Sequence, residues 1–220
     1  MQFLDEMSFR QVSVNFELYS LKNGSWKNIT SVAPDLELAW CTSPVAFVNG
    51  FIHYVGFQRI KSVDPGAERF NNSILAFDVK NEIFYQVLLP KALAGAHSFG
   101  LSIWKYKETS IAIVDDNSLG SELRVWVMKE YGLESSWTKL LIVNESSCRR
   151  TRLSGLAACR NNGELVLKTI VQTSDENYVG GIVSYDTETH KHRDLRFWWK
   201  EYTKCICSYT ESLVLLDIGS

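Results

Sequence analysis

Four times along this 220-residue chain, a run of alternating apolar and polar residues centred on an aromatic is followed by a turn and a second such run. Alternation of period two places successive side chains on opposite faces of a strand, so a chain written this way commits its core to sheets. Phe16-Glu17-Leu18-Tyr19-Ser20-Leu21 leads into Lys22-Asn23-Gly24-Ser25, and Trp26-Lys27-Asn28-Ile29 resumes the pattern. Asn-Gly between alternating segments is a strong hairpin signal, because both residues tolerate positive φ. The second unit covers 74–79, a turn at Lys80-Asn81-Glu82, and 83–90. The third covers 122–128, a longer turn through Gly132, and 136–140; the fourth covers 181–186, a turn at 187–189, and a strand near 192–197.

The central aromatics Tyr19, Phe77, Trp126 and Tyr185 recur roughly every 50 residues, the scale of kelch-type blade repeats. Other hairpins lie between these units: 46–55 around Asn49-Gly50, 102–104 with 110–114, and 156–159 with 164–167 around Asn161-Asn162-Gly163. A plain hairpin followed by an aromatic hairpin gives four strands per repeat. The expected fold is therefore all-β, a propeller-like array of antiparallel four-stranded sheets with about four blades, in a closed or an incomplete ring. A β-sandwich with regular spacing is the other architecture this pattern admits.

Seven Trp, nine Tyr and eleven Phe supply a core without metal or disulfide staples. With 23 basic and 25 acidic residues the chain lacks the electrostatic footprint of a nucleic-acid binder. The one tight basic cluster, Arg149-Arg150-Thr151-Arg152, reads as a solvated loop. The start MQFLDEMSFR is not a signal peptide, and no apolar run reaches the length of a membrane helix. The five cysteines do not follow a secreted disulfide framework. A cytoplasmic or nuclear setting is expected, in which the sequons at Asn28, Asn71 and Asn144 are chance matches.

Catalytic and metal chemistry find little support. There is no G-x-S-x-G elbow, phosphate-cradling glycine loop or H-E-x-x-H helix. His190 with His192, and Cys205 with Cys207, would each share one side of an extended strand and together offer four zinc ligands, but the spacing is not that of zinc knuckles. Asp115-Asp116 reads as a solvated turn. No catalytic residue, cofactor or metal is expected.

Five segments, in order, carry a family resemblance. ELYSLKNGSWKNI (17–29), FVNGFIHY (47–54), SILAFDVKNEIFYQVLLP (73–90), ELRVWVMKEYGLESSWTKL (122–140) and the tail YTESLV (209–214) resemble the signature segments of plant F-box associated domains, with Tyr54 where that family usually has Trp. The block containing Trp126 and Trp137 is the most specific. The resemblance divides the chain into an N-terminal segment, 1–14, and an F-box associated domain, 15–220. It implies a module that holds the protein substrate of an SCF-type ubiquitin ligase. A Skp-type adaptor and cullin would join only if a longer form supplies an F-box. The F-box and the family's earlier elements are missing from this sequence, which fits a C-terminal portion.

Within these segments Tyr19, Trp26, Phe77, Trp126 and Trp137 are expected to pack between sheets, and Gly50, Gly132 and Gly163 to serve turn geometry. Trp26, Trp126 and Trp137 are the positions expected to be buried, with a cost of about 3–5 kcal/mol for truncating Trp137. Partner-binding residues are not identified by the sequence. The connections 58–69, 115–121, 143–152 and 172–178 are the candidate rim, and Phe197-Trp198-Trp199 is either a binding anchor or a partly buried edge strand. A carbohydrate-binding β domain and a truncated remnant without function remain the alternatives.

Overall fold

The computed structural model describes residues 14–38, 45–60, 69–97, 100–116, 122–144, 152–172 and 178–199. Strands β1 (Glu17–Ser20) and β2 (Ser25–Asn28) form a first, two-stranded sheet. The second sheet contains β3 (Glu37–Leu38), β4 (Ala46–Val48), β5 (Phe51–Ile60), β6 (Arg69–Asp78) and β7 (Ile83–Leu88). The third is β8 (Leu101–Tyr106), β9 (Ser110–Asp116), β10 (Glu122–Met128) and β11 (Trp137–Asn144), and the fourth is β12 (Arg152–Cys159), β13 (Leu165–Gln172), β14 (Tyr178–Tyr185) and β15 (His192–Trp199). Strands in the third and fourth sheets pair in chain order and all the described pairings are antiparallel.

Four strands per sheet holds for the third and fourth sheets. The second has five because β3 and β4 lie end to end along the edge of β5 not taken by β6. The sequence also admits a closing pairing of 213–216 with the segment near 12–16, residues that lie mostly outside the described ones.

The turns follow from side-chain chemistry. Asn49 (φ 53) and Gly50 (φ 84) are both left-handed, the backbone of a two-residue hairpin turn whose twist matches its strands. Asp78 accepts from the N–H groups of Lys80 (2.9 Å) and Asn81 (3.0 Å), and Asp186 repeats the device with Glu188 and Thr189 (both 2.9 Å). These bonds hold both carboxyl groups below the ordinary aspartate range, led by Asn81 and by Thr189.

Each sheet packs on the next. Ile29, Leu36, Leu75, Phe77 and Phe84 fill the space between the first and second sheets. Val55, Phe57, Ile74, Ile103, Ile111 and Ile113 join the second to the third, and Ala112, Val114, Val125, Leu165, Leu167 and Val183 join the third to the fourth. Strand β9 shows the logic: Ile111 and Ile113 face one neighbour, Ala112 and Val114 the other. A sandwich has one sheet-on-sheet interface. Here there are three in succession, the arrangement of a propeller-like array, not closed into a ring among the described residues.

Candidate partner-binding face

The turns after β4, β6, β8, β10, β12 and β14 gather at one end of the array. Direct bonds tie several of them together. Asn49 Nδ2 donates to the Thr109 carbonyl (3.1 Å), Val79 N–H to the Gly50 carbonyl (3.2 Å), and the Thr187 hydroxyl to the Gly163 carbonyl (3.3 Å).

Beside this end, three resemblance-bearing segments meet. Register places Phe51, Asp78 and Ile83 in one cross-strand row and His53, Ala76 and Tyr85 in the next row on the same face. Tyr131, from the Tyr131-Gly132 turn between β10 and β11, lies over them. Its ring centroid is 5.7 Å from that of His53 and 6.1 Å from that of Phe51, and Tyr85 completes the group 6.0 Å from Phe51. Gly132 (φ 83) gives the turn its left-handed residue.

His53 is 1% exposed. Its Nδ1 lies 2.9 Å from the Ala46 carbonyl, which can only accept, so Nδ1 carries the proton and Nε2 accepts from the Tyr131 hydroxyl at 2.8 Å. Burial pushes the imidazole below the ordinary histidine value despite the backbone contacts. Burial, reinforced by the charge of Asp78, pushes the Tyr131 phenol up to about 12. The pair is thus a neutral, fully bonded base beneath a surface. Ile83 and Tyr85 in the same two rows remain exposed, as does Leu133 in the turn that carries Tyr131, so the face offers half-covered rings and aliphatic groups on a rigid support.

The sequence expectations divide as follows. Phe77 and Tyr185 are buried, and Trp126 and Trp137 are half-buried against the core between the second and third sheets. Lys139 Nζ sits 5.7 Å from the Trp126 ring centroid, and the Trp126 indole N–H is buried without a hydrogen-bond partner. The expectation of a buried Trp26 is corrected: it is 68% exposed and its ring lies tilted against that of Tyr19, its cross-strand partner, with centroids 5.0 Å apart. The reason is alternation. Leu18 of β1 faces the core, so Tyr19 and its partner Trp26 take the opposite face of the hairpin.

Asp115 is not in a solvated turn. It is buried in β9, opposite Arg124 in the register, and its carboxylate lies 3.5 Å from that guanidinium. Burial raises its pKa while Arg124 opposes the rise. His190 is not on an extended strand with His192 either. Its φ is 57, it closes the turn, and its Nδ1 pairs with the Tyr185 hydroxyl at 3.0 Å. Cys205 and Cys207, Arg149 to Thr151, the tail 209–214, and the central parts of the four candidate rim connections lie outside the described residues. The Phe197 and Trp198 segment forms the end of β15, the outer strand of the fourth sheet, with both side chains exposed.

Comparison with known proteins adds family membership. The profile described as "F-box associated beta propeller domain" matches residues 1–216. The F-box protein CPR1 of Arabidopsis thaliana is 31% identical over 217 residues, covering 92% of this chain and 46% of that protein, so the chain spans about half the length of the curated relative it matches. Among solved structures, an acylaminoacyl peptidase of Pyrococcus horikoshii is 11% identical with a TM-score of 0.43, covering 73% of this chain and 26% of that one. A Trypanosoma rangeli sialidase is also 11% identical, with a TM-score of 0.42 and coverages of 85% and 35%. The profile match across nearly the whole chain and the CPR1 relationship agree with the ordered sheets seen here, and the chain belongs to the F-box associated beta propeller domain family.

Proposed function

We propose that this chain is the substrate-holding module of an F-box type receptor: it binds a protein destined for ubiquitination and performs no chemistry itself. The observation that carries the reading is the convergence of three resemblance-bearing segments on one face, where Phe51, Tyr85 and Tyr131 cluster over the buried His53. Large rings on a rigid sheet, partly dry and partly accessible, are the anchors that protein partners use. A Skp-type adaptor and a cullin enter through an F-box in a longer form, in the cytoplasm or nucleus.

The test is affinity capture from plant extract with the chain alone and with an F-box fused ahead of it. Both should retain the same protein, and only the fusion should add the adaptor and cullin. A Tyr85→Ala/Leu133→Asp form should release that protein. If nothing is enriched over an unrelated β protein, or if the double variant retains everything, the reading fails.

A carbohydrate-binding role is the second reading, favoured by the exposed Tyr19–Trp26 ring pair. A glycan array separates the two: saturable binding to a glycan, abolished by Trp26→Ala, would move the function to the first hairpin.

A further inference from the structure

We infer that Asn23 is a self-modifying position: the Gly24 amide nitrogen displaces its side-chain amide and leaves aspartate and isoaspartate at the tip of the first hairpin. The inference does not depend on what the domain binds. The chain has three Asn-Gly steps, Asn23-Gly24, Asn49-Gly50 and Asn162-Gly163. Glycine places no side chain in the way of attack on the preceding amide carbon, so all three would react readily in an unfolded chain. In the folded chain they differ in what holds the reacting atoms.

The Gly24 nitrogen bonds to Asn23 Cγ, the Cγ–Nδ2 bond breaks, and ammonia departs with the proton that Gly24 gives up. Water then opens the five-membered succinimide. Opening at Cγ restores the ordinary backbone with an aspartate, and opening at the main-chain carbonyl routes the backbone through Cγ as isoaspartate. Nothing is oxidised or reduced, and water is the co-reactant. The step needs an unengaged glycine N–H, an amide carbon that can swing over it, and room for the ring.

Two of the three steps lack these conditions. Asn49 is anchored through Nδ2 to the Thr109 carbonyl at 3.1 Å, and both residues of its turn are left-handed between the paired Val48 and Phe51. At the third step Asn162 Oδ1 accepts the Glu164 N–H at 3.0 Å, and the attacking group itself, the Gly163 N–H, donates to the Arg160 carbonyl at 2.9 Å. Gly163 is also buried, with Lys107 and Tyr106 side-chain atoms 3.3 and 3.4 Å from a Cβ built there. Around Asn23 the restraints fall away. Residues 21–24 are all exposed, and nothing beyond its chain neighbours lies within 4 Å of a Cβ built on Gly24. Neither the Asn23 side-chain amide nor the Gly24 N–H is hydrogen-bonded to a described residue. The Asn23 backbone N–H donates to the Ser20 hydroxyl at 3.2 Å, which leaves Cγ and the Gly24 nitrogen unheld. The sheet that carries the turn has two strands, and β2 is exposed along its whole length, so local opening is easy. The product places a new carboxylate beside Lys22, and isoaspartate lengthens the backbone of a turn closed by Ser20 and Ser25.

The experiment incubates the whole chain in warm, mildly alkaline buffer for increasing times, folded and in concentrated urea. Proteolytic peptides are scored by mass spectrometry for the exchange of ammonia for water, and by an isoaspartate-specific carboxyl methyltransferase for the rearranged backbone. In the folded chain the Asn23 peptide should convert about tenfold faster or more than the Asn49 and Asn162 peptides. In urea the three should convert at similar rates, which assigns the difference to the fold and not to neighbouring sequence. Asn23→Gln, whose longer side chain closes a ring far less readily, should remove the modified peptide and leave the thermal midpoint unchanged. Equal conversion of all three peptides in the folded chain, faster conversion at Asn49 or Asn162, or an Asn23 peptide that stays intact when folded while it converts in urea would each overturn the inference. So would a rate difference in urea as large as that in the folded chain.

Discussion

The indole N–H of Trp137 donates to the Leu88 carbonyl at 3.1 Å, while the Leu88 N–H is taken by Glu134 Oε1 at 2.9 Å. Both main-chain groups at the end of β7 are thus satisfied by the entry to β11, and the second and third sheets are stitched together at their outer margin. Because Trp137 is half-buried, its truncation should cost less than that of a fully enclosed ring. Trp137→Ala should lose about 2–4 kcal/mol and Trp137→Phe, which forfeits mainly the hydrogen bond, about 1 kcal/mol. Urea titration of the two variants measures the difference.

His53 should give the fold a pH dependence. Burial lowers its folded pKa below the ordinary value of 6.5, so as pH falls the unfolded chain takes up the proton first. The contribution is fully present above 6.5 and is lost as pH falls through that value toward the folded pKa. The slope is at most about 1.4 kcal/mol per pH unit for one proton. Denaturant midpoints stepped from neutral to mildly acidic buffer should fall, and His53→Gln should flatten that fall.

Gly181 and Trp198 should be coupled. A methyl group at Gly181 would meet rigid indole carbons at 2.7 and 2.9 Å, so Gly181→Ala should destabilise by about 1–3 kcal/mol. Adding Trp198→Ala should restore part of the loss in place of adding to it. Simple additivity in a double-mutant cycle would contradict the contact.

Trp26→Ala removes an exposed ring and should change stability by less than about 0.5 kcal/mol. Thermal melts check this directly. A larger loss would mean that the Tyr19–Trp26 ring contact props up the hairpin.

The hairpins were legible because turn chemistry is local: Asn49-Gly50, Asp78 and Asp186 announce their turns within a few residues. What the alternation leaves open is which of a strand's two faces another sheet will cover. Tyr19 and Phe77 hold equivalent places in the repeat, yet Tyr19 is 44% exposed and Phe77 only 5%. The Asp115–Arg124 pair becomes visible only once β9 and β10 are aligned. The partner of His53 lies 78 residues away, beyond any local pattern. A hint was present all the same, since a histidine alternating with Phe51, Val55 and Phe57 on an inward face requires a distant polar partner. The contact between Gly181 and the Trp198 indole needed the register to be seen.

The stacking of the third sheet between two neighbours has a kinetic consequence. Among the described residues the packed cores join each sheet to the ones beside it, so opening at either margin should leave the remainder intact, as in a short row of coupled units. Amide protons of Ile111, Ala112, Ile113 and Val114, with apolar cores on both sides, should exchange with deuterium last. Those of the Tyr19–Trp26 hairpin should exchange first, so the molecule melts inward from its margins.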